Sequence, residues 1–119
     1  MEVPNYENIV LMPYSIEYFH PKVLAEIESW PTDVLADYAR ILGLLMEHGP
    51  NVRLPHSRTF GEGLFELRPR GSSGIGRAFY CFLAGRRAVV LHAFVKKSQQ
   101  TPDREWRLAR KRMKEIFHG

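Results

Sequence analysis

Cysteine is nearly missing from this chain of 119 residues, with Cys81 the single thiol. No intrachain disulfide can form, which fits a reducing cytoplasm. Cys81 lies inside an apolar run and reads as a core thiol rather than a reactive one. Long hydrophobic runs are lacking too. No stretch approaches the roughly 20 apolar residues of a membrane span, and the N-terminus lacks the charged-then-apolar layout of a signal peptide. No membrane partner is therefore expected. The five histidines form no H-E-x-x-H and no ligand set with cysteine, so no metal is expected. There is no G-x-S-x-G. The glycines of Gly71-Ser-Ser-Gly74-Ile-Gly76 run G-x-x-G-x-G with no long helix behind them, which reads as a hairpin connection and not a dinucleotide cradle. Acid is the scarcer charge, with 13 Asp and Glu against 17 Lys and Arg, for a formal charge of +4. That balance favours an acidic or polyanionic partner.

What is present suits one soluble globular domain: 45% hydrophobic and 25% charged residues. Residues 1–13 read as a loosely attached extension and 14–119 as the domain. The stretch from Pro13 to His20 alternates as a first strand, with Tyr14, Ile16 and Tyr18 on one face. Pro21 opens a short helix striped by Val23, Leu24 and Ile27. From Thr32 to His48 the apolar residues Val34, Leu35, Tyr38, Ile41, Leu42, Leu45 and Met46 recur at helical spacing, and Gly49-Pro50 ends the helix. Asn51 to Thr59 reads as a solvated loop carrying Arg53, His56 and Arg58.

The stretch from Phe60 to Pro102 organises the rest. Leu64 to Pro69 alternates, so that Leu64, Glu66 and Arg68 point one way and Phe65 and Leu67 the other. Ile75 to Leu83 is β-branched and aromatic, and Ala88 to Val95 is apolar on both faces, as a central strand is. Between them Gly85 supplies a tight turn. Arg77 is the one charged residue between Ile75 and Leu83. A cation there either snorkels to solvent or serves a site. His92 reads as a satisfied core or surface histidine. Asp103 to His118 is a helix with Trp106, Ala109, Met113, Ile116 and Phe117 on its buried face. Its six cations outnumber its three acids, an imbalance that attracts phosphates or an acidic partner. The expected fold is thus α/β (α+β): a small, mainly antiparallel sheet of about four strands, covered by two N-terminal helices, plus a basic C-terminal helix.

Gly63-Leu-Phe-Glu-Leu-Arg68, Gly76-Arg-Ala-Phe-Tyr80 and the phrase from Val90 to Pro102, with its F-V-K-K-S-Q-Q-T-P, resemble the RelE/HigB toxin superfamily. The resemblance is closest to its phage-derived branch and covers about residues 14–116. It implies the toxin of a two-gene toxin–antitoxin system, cutting mRNA on the ribosome and held silent by a small, helix-turn-helix antitoxin encoded next door. It implies no cofactor, because the RNA's own 2′-hydroxyl attacks the phosphate and the protein supplies charge and proton transfer. It places Arg77 at the catalytic arginine, Arg68 at a basic catalytic position, and Lys97, with Lys96, at the basic exit of the last strand. Lys96, Arg70, Arg107, Arg110 and Lys111 are the further nucleic-acid-binding candidates. Glu66 stands where well-studied ribosome-dependent members place a lysine, and it is either the general base or half of a structural ion pair. Their C-terminal catalytic tyrosine has no counterpart between Asp103 and Arg107, where Trp106 is the aromatic residue. Two other readings stay open on the same residues: a ParE-like inhibitor of DNA gyrase, and a non-catalytic phage-derived binding domain.

Overall fold

The computed structural model describes residues 13–96 and 100–118. The strands are β1 (Ser15–Tyr18), β2 (Ser57–Gly61), β3 (Leu64–Leu67), β4 (Arg70–Gly71), β5 (Gly74–Leu83) and β6 (Arg87–Lys96). The helices are α1 (Pro21–Glu28), α2 (Thr32–His48) and α3 (Asp103–His118). The sheet runs β1-β6-β5-β3-β2, with β4 paired to β5. Among the described residues only β1 against β6 is parallel; the other pairings are antiparallel. The α+β class is as expected, but the sheet has six strands rather than about four. The larger addition is β2, which takes over the end of the stretch expected as a loop. Ser57-Arg-Thr-Phe alternates and holds two good strand formers, and it pairs with β3 through Ser57↔Leu67, Arg58↔Glu66 and Thr59↔Phe65. The extension read over residues 1–13 lies, apart from Pro13, outside the described residues. Among the described residues no helix is long and apolar enough to cross a membrane.

Both faces of the sheet are covered, which is why β5 and β6 carry so little polarity. On one face α1 sets down Val23 and Ile27, and α2 sets down Val34, Tyr38, Ile41 and Leu45. They meet Leu67, Ala78, Tyr80, Ala88 and Val90. On the other face α3 lays Ala109 and Met113 over Leu64, Phe79, Cys81, Val89 and Leu91. Each such aliphatic or aromatic side chain contributes about 1.5–3 kcal/mol when fully buried. Strand alternation puts Arg77 with Phe79 and Cys81, on the α3 face.

Two local features fix where Arg77 enters. Gly76 passes so close to the core ring of Trp30 that a Cβ there would lie 2.7 Å from Cζ3. The hairpin between β4 and β5 is held by the polar side of α2. The Asp33 carboxylate accepts from the Ser73 amide at 2.9 Å and the Ser72 hydroxyl at 3.0 Å, and Asp37 accepts from the Arg70 amide at 2.9 Å. The Ser73 amide leads in pulling the Asp33 pKa below its ordinary value. Burial raises that of Asp37, but the Arg70 amide and the Arg40 guanidinium outweigh it, and the result is also lowered. At the other hairpin, Gly85 takes φ +83°, the turn conformation expected of it.

Candidate functional site

Glu66 is wholly buried on β3, and three arginines converge on its Oε1. Arg68 Nη1 lies at 2.8 Å, Arg58 Nη2 at 3.5 Å and Arg77 Nε at 3.7 Å. The Thr101 hydroxyl donates to Oε2 at 3.1 Å. Backbone geometry explains the convergence. Arg68 follows Glu66 by two residues on the same face. Arg58 is its direct cross-strand partner on β2, and Phe79 is its partner on β5, with Arg77 two residues away on that face. Burying a lone carboxylate costs several kcal/mol, and here the guanidinium charges and hydrogen bonds offset that cost.

Arg77 is 5% exposed. Its Nη1 donates to the Gly76 carbonyl at 2.7 Å, while its Nε is buried without a hydrogen-bond partner. Burial lowers the Arg77 pKa to about 10; the Arg68 charge adds to this and Glu66 opposes it. At neutral pH it remains a fixed, desolvated cation with an N–H to spare.

In front of this group opens a cavity of about 320 Å³. Arg58, Arg68 and Lys96 line it as cations, Phe60 and Trp106 as aromatic walls, with Thr101 and Gln100 beside them. The Arg58 guanidinium lies over the Phe60 ring, 4.5 Å from its centroid. Burial, then the charges of Arg77 and Arg68, lower the Lys96 pKa. Cations outnumber carboxylates four to one around Glu66, so the cavity suits an anion next to a planar apolar group. A phosphate with its base has that form.

The expected site residues divide. Arg68, Arg77, Glu66 and Lys96 come together, and Lys97 lies outside the described residues. Glu66, expected as general base or ion-pair partner, is wholly buried and ion-paired with the three arginines. Arg70 is exposed and close enough for its charge to act on Arg77. Arg107 and Lys111 are solvated on α3, and Arg107 stands over the Trp106 ring at 5.5 Å. Arg110, expected on nucleic acid, is engaged elsewhere. It donates to the Gly61 and Phe60 carbonyls, each at 3.1 Å, and fastens α3 to the β2–β3 turn. Arg58, Phe60 and Thr101 were not among the sequence candidates; the alternation through Ser57–Phe60 was the signal for the first two. His92 is satisfied, as expected, by the Glu105 carboxylate. Among the described residues no three His, Cys, Asp or Glu side chains gather as a metal site requires.

A search of curated proteins gave no match. Among solved structures, the archaeal RelE–RelB complex from Pyrococcus horikoshii OT3 superposes with a TM-score of 0.52 at 19% identity, over 72% of this chain and 98% of that one. The fold is thus RelE-like. The family model described as "Phage derived protein Gp49-like (DUF891)" matches residues 25–114, which span both layers of the fold and the whole arginine cluster. Family model, fold and the motifs from Gly63 to Pro102 agree, and the chain belongs to the phage-derived Gp49-like family.

Proposed function

We propose that this protein is the toxin of a RelE-type toxin–antitoxin system and that it cleaves mRNA on the ribosome. One observation carries the reading: Arg58, Arg68, Arg77 and Lys96 gather around one buried carboxylate, behind a cavity with two aromatic walls. In the reaction the RNA 2′-oxygen attacks the adjacent phosphorus and the bond to the 5′-oxygen breaks, leaving a cyclic phosphate and a 5′-hydroxyl. Negative charge builds on the non-bridging oxygens. Arg68 and Arg58 line the cavity and bind those oxygens, with the planar fork that suits phosphate. Arg77 adds its charge from the floor. It is preorganised there, because it is already desolvated and held by the Gly76 carbonyl. Lys96, whose pKa is lowered by burial and by the charges of Arg77 and Arg68, is the lining cation that releases a proton most readily, and it serves the proton transfer. Phe60 and Trp106 hold the neighbouring base by stacking.

The test is primer extension on cellular mRNA after induction of the protein, with plasmid supercoiling followed in parallel. New 5′ ends inside translated codons with supercoiling unchanged are expected. Intact mRNA with relaxed plasmid would replace this reading by gyrase inhibition.

A further inference from the structure

Away from Glu66, a cavity of about 520 Å³ opens where the end of α3 passes the β2–β3 turn. Phe65, Phe82, Met113 and Phe117 give it an apolar lining, and Lys114 stands among them. A second cavity, of about 380 Å³, is lined by Val52, Leu54 and Thr59, with Arg53 and Arg58 beside them. Phe65 is a wall of both. Leu54 and Phe117 are 65% and 54% exposed, large values for side chains of that size.

Between these cavities runs an edge of the sheet that is open among the described residues. β2 is the last strand in the order, and its own residues line one cavity while the turn after it lines the other. The ladder bond from the Arg68 amide to the His56 carbonyl, at 2.9 Å, fixes the phase of the pairing. Residues 56 and 58 therefore direct their backbone groups at β3, while 57 and 59 direct theirs away from it. The Ser57 amide is taken by the Arg53 carbonyl at 3.1 Å. The Ser57 carbonyl and both backbone groups of Thr59 thus face outward from the edge.

We propose that this edge and its two cavities receive an extended segment of a protein partner in which apolar and acidic residues alternate. Added as a strand beside β2, such a segment would put one set of side chains over Thr59 and Phe65, into the apolar cavities. The other set would lie beside Arg58, on the face of the Glu66 cluster. Among the described residues, the free cations along the track are Arg53 and Lys114, whereas Arg110 is committed to the turn carbonyls and Glu62. The charge complement is an acidic segment. A carboxylate set against Arg58 would compete with Glu66 and with phosphate for the same guanidinium, so docking would also silence the cavity next door. The identity of the partner as an antitoxin rests on the toxin reading; the surface does not.

The test uses the full chain and the product of the adjacent gene, co-expressed and purified together. Hydrogen exchange should slow tenfold or more at the Thr59 amide and across residues 57–65 and 110–118. Phe117→Asp should weaken the complex tenfold or more, and Lys114→Glu should slow association and flatten its salt dependence, with thermal melts of both variants unchanged. A complex that leaves exchange at 57–65 unaltered, or that Phe117→Asp forms equally well, overturns this surface and leaves the toxin reading standing. No complex at all overturns the toxin reading and the assigned occupant together.

Discussion

The protein has two basic regions, and they are built on opposite principles. Around Glu66 the cations are few and gathered on one buried carboxylate, from buried Arg77 through half-buried Arg68 to exposed Arg58. Along α3 they are many and mostly solvated, and two of the six are spent on structure. Arg110 holds the β2–β3 turn, and Arg112 donates to the Leu91 carbonyl at 2.6 Å. The Arg104 side chain is 86% exposed, against 6% for that of Arg77. Charge in water is screened and mobile, so the helix face contributes diffuse attraction to a polyanion. Charge held out of water acts at one point and with one geometry. A count of cations therefore points to α3, whereas the arrangement points to the sheet.

The comparison can be broken most forcefully at Glu66. Glu66→Ala leaves Arg77 buried beside Arg68 and Arg58 with no opposing charge, and should cost about 3–5 kcal/mol in denaturant unfolding. A loss below about 1 kcal/mol would mean that the arginines are not organised by this carboxylate.

Gly76→Ala sharpens the same point from the other side of the sheet. Its Cβ would meet Trp30, which is core-packed, so either the ring or the strand carrying Arg77 must shift. Overpacking of this kind should cost about 1–3 kcal/mol in thermal or chemical unfolding. An unchanged melt would show that β5 has slack at Arg77.

A smaller effect separates the regions by pH. A solvated guanidinium keeps its proton beyond pH 12. The Arg77 pKa is lowered to about 10, so its charge persists below that value and is lost as pH rises through it, in addition to the charge of Lys96, whose pKa is also lowered. Sulfate binding, followed by calorimetry, should weaken across that interval. Affinity that stays flat to pH 11 would contradict the burial argument.

Much of this was legible in sequence, for reasons that differ by residue. The bounds of α2 and α3 follow from long apolar stripes ending in clear stop or start signals. The two apolar strands, Gly74–Leu83 and Arg87–Lys96, announce a sheet covered on both faces. Arg77 stands out because charge in such a strand is rare. β2 was hidden, because its Arg58 and Thr59 look like solvated loop residues until the register puts Arg58 opposite Glu66. Thr101 was hidden for another reason: its contact spans 35 positions, and no local pattern encodes it. The idle role of Arg110 was equally invisible, since its acceptors are backbone carbonyls, present at every residue.

The central claim is that fixed charge at Glu66, and not the number of cations on α3, makes the site. It is tested most directly by mRNA cleavage on programmed ribosomes, comparing Arg68→Ala with Lys111→Ala. Both remove one cation, and Arg68 lines the cavity while Lys111 is solvated on the helix. Arg68→Ala should lower the cleavage rate by on the order of 10²–10³, as loss of one preorganised charge from a reacting centre does. Lys111→Ala should stay within about threefold of the parent, in keeping with a screened surface charge worth under about 1 kcal/mol. Equal losses in the two variants, or full activity in Arg68→Ala, would contradict the account.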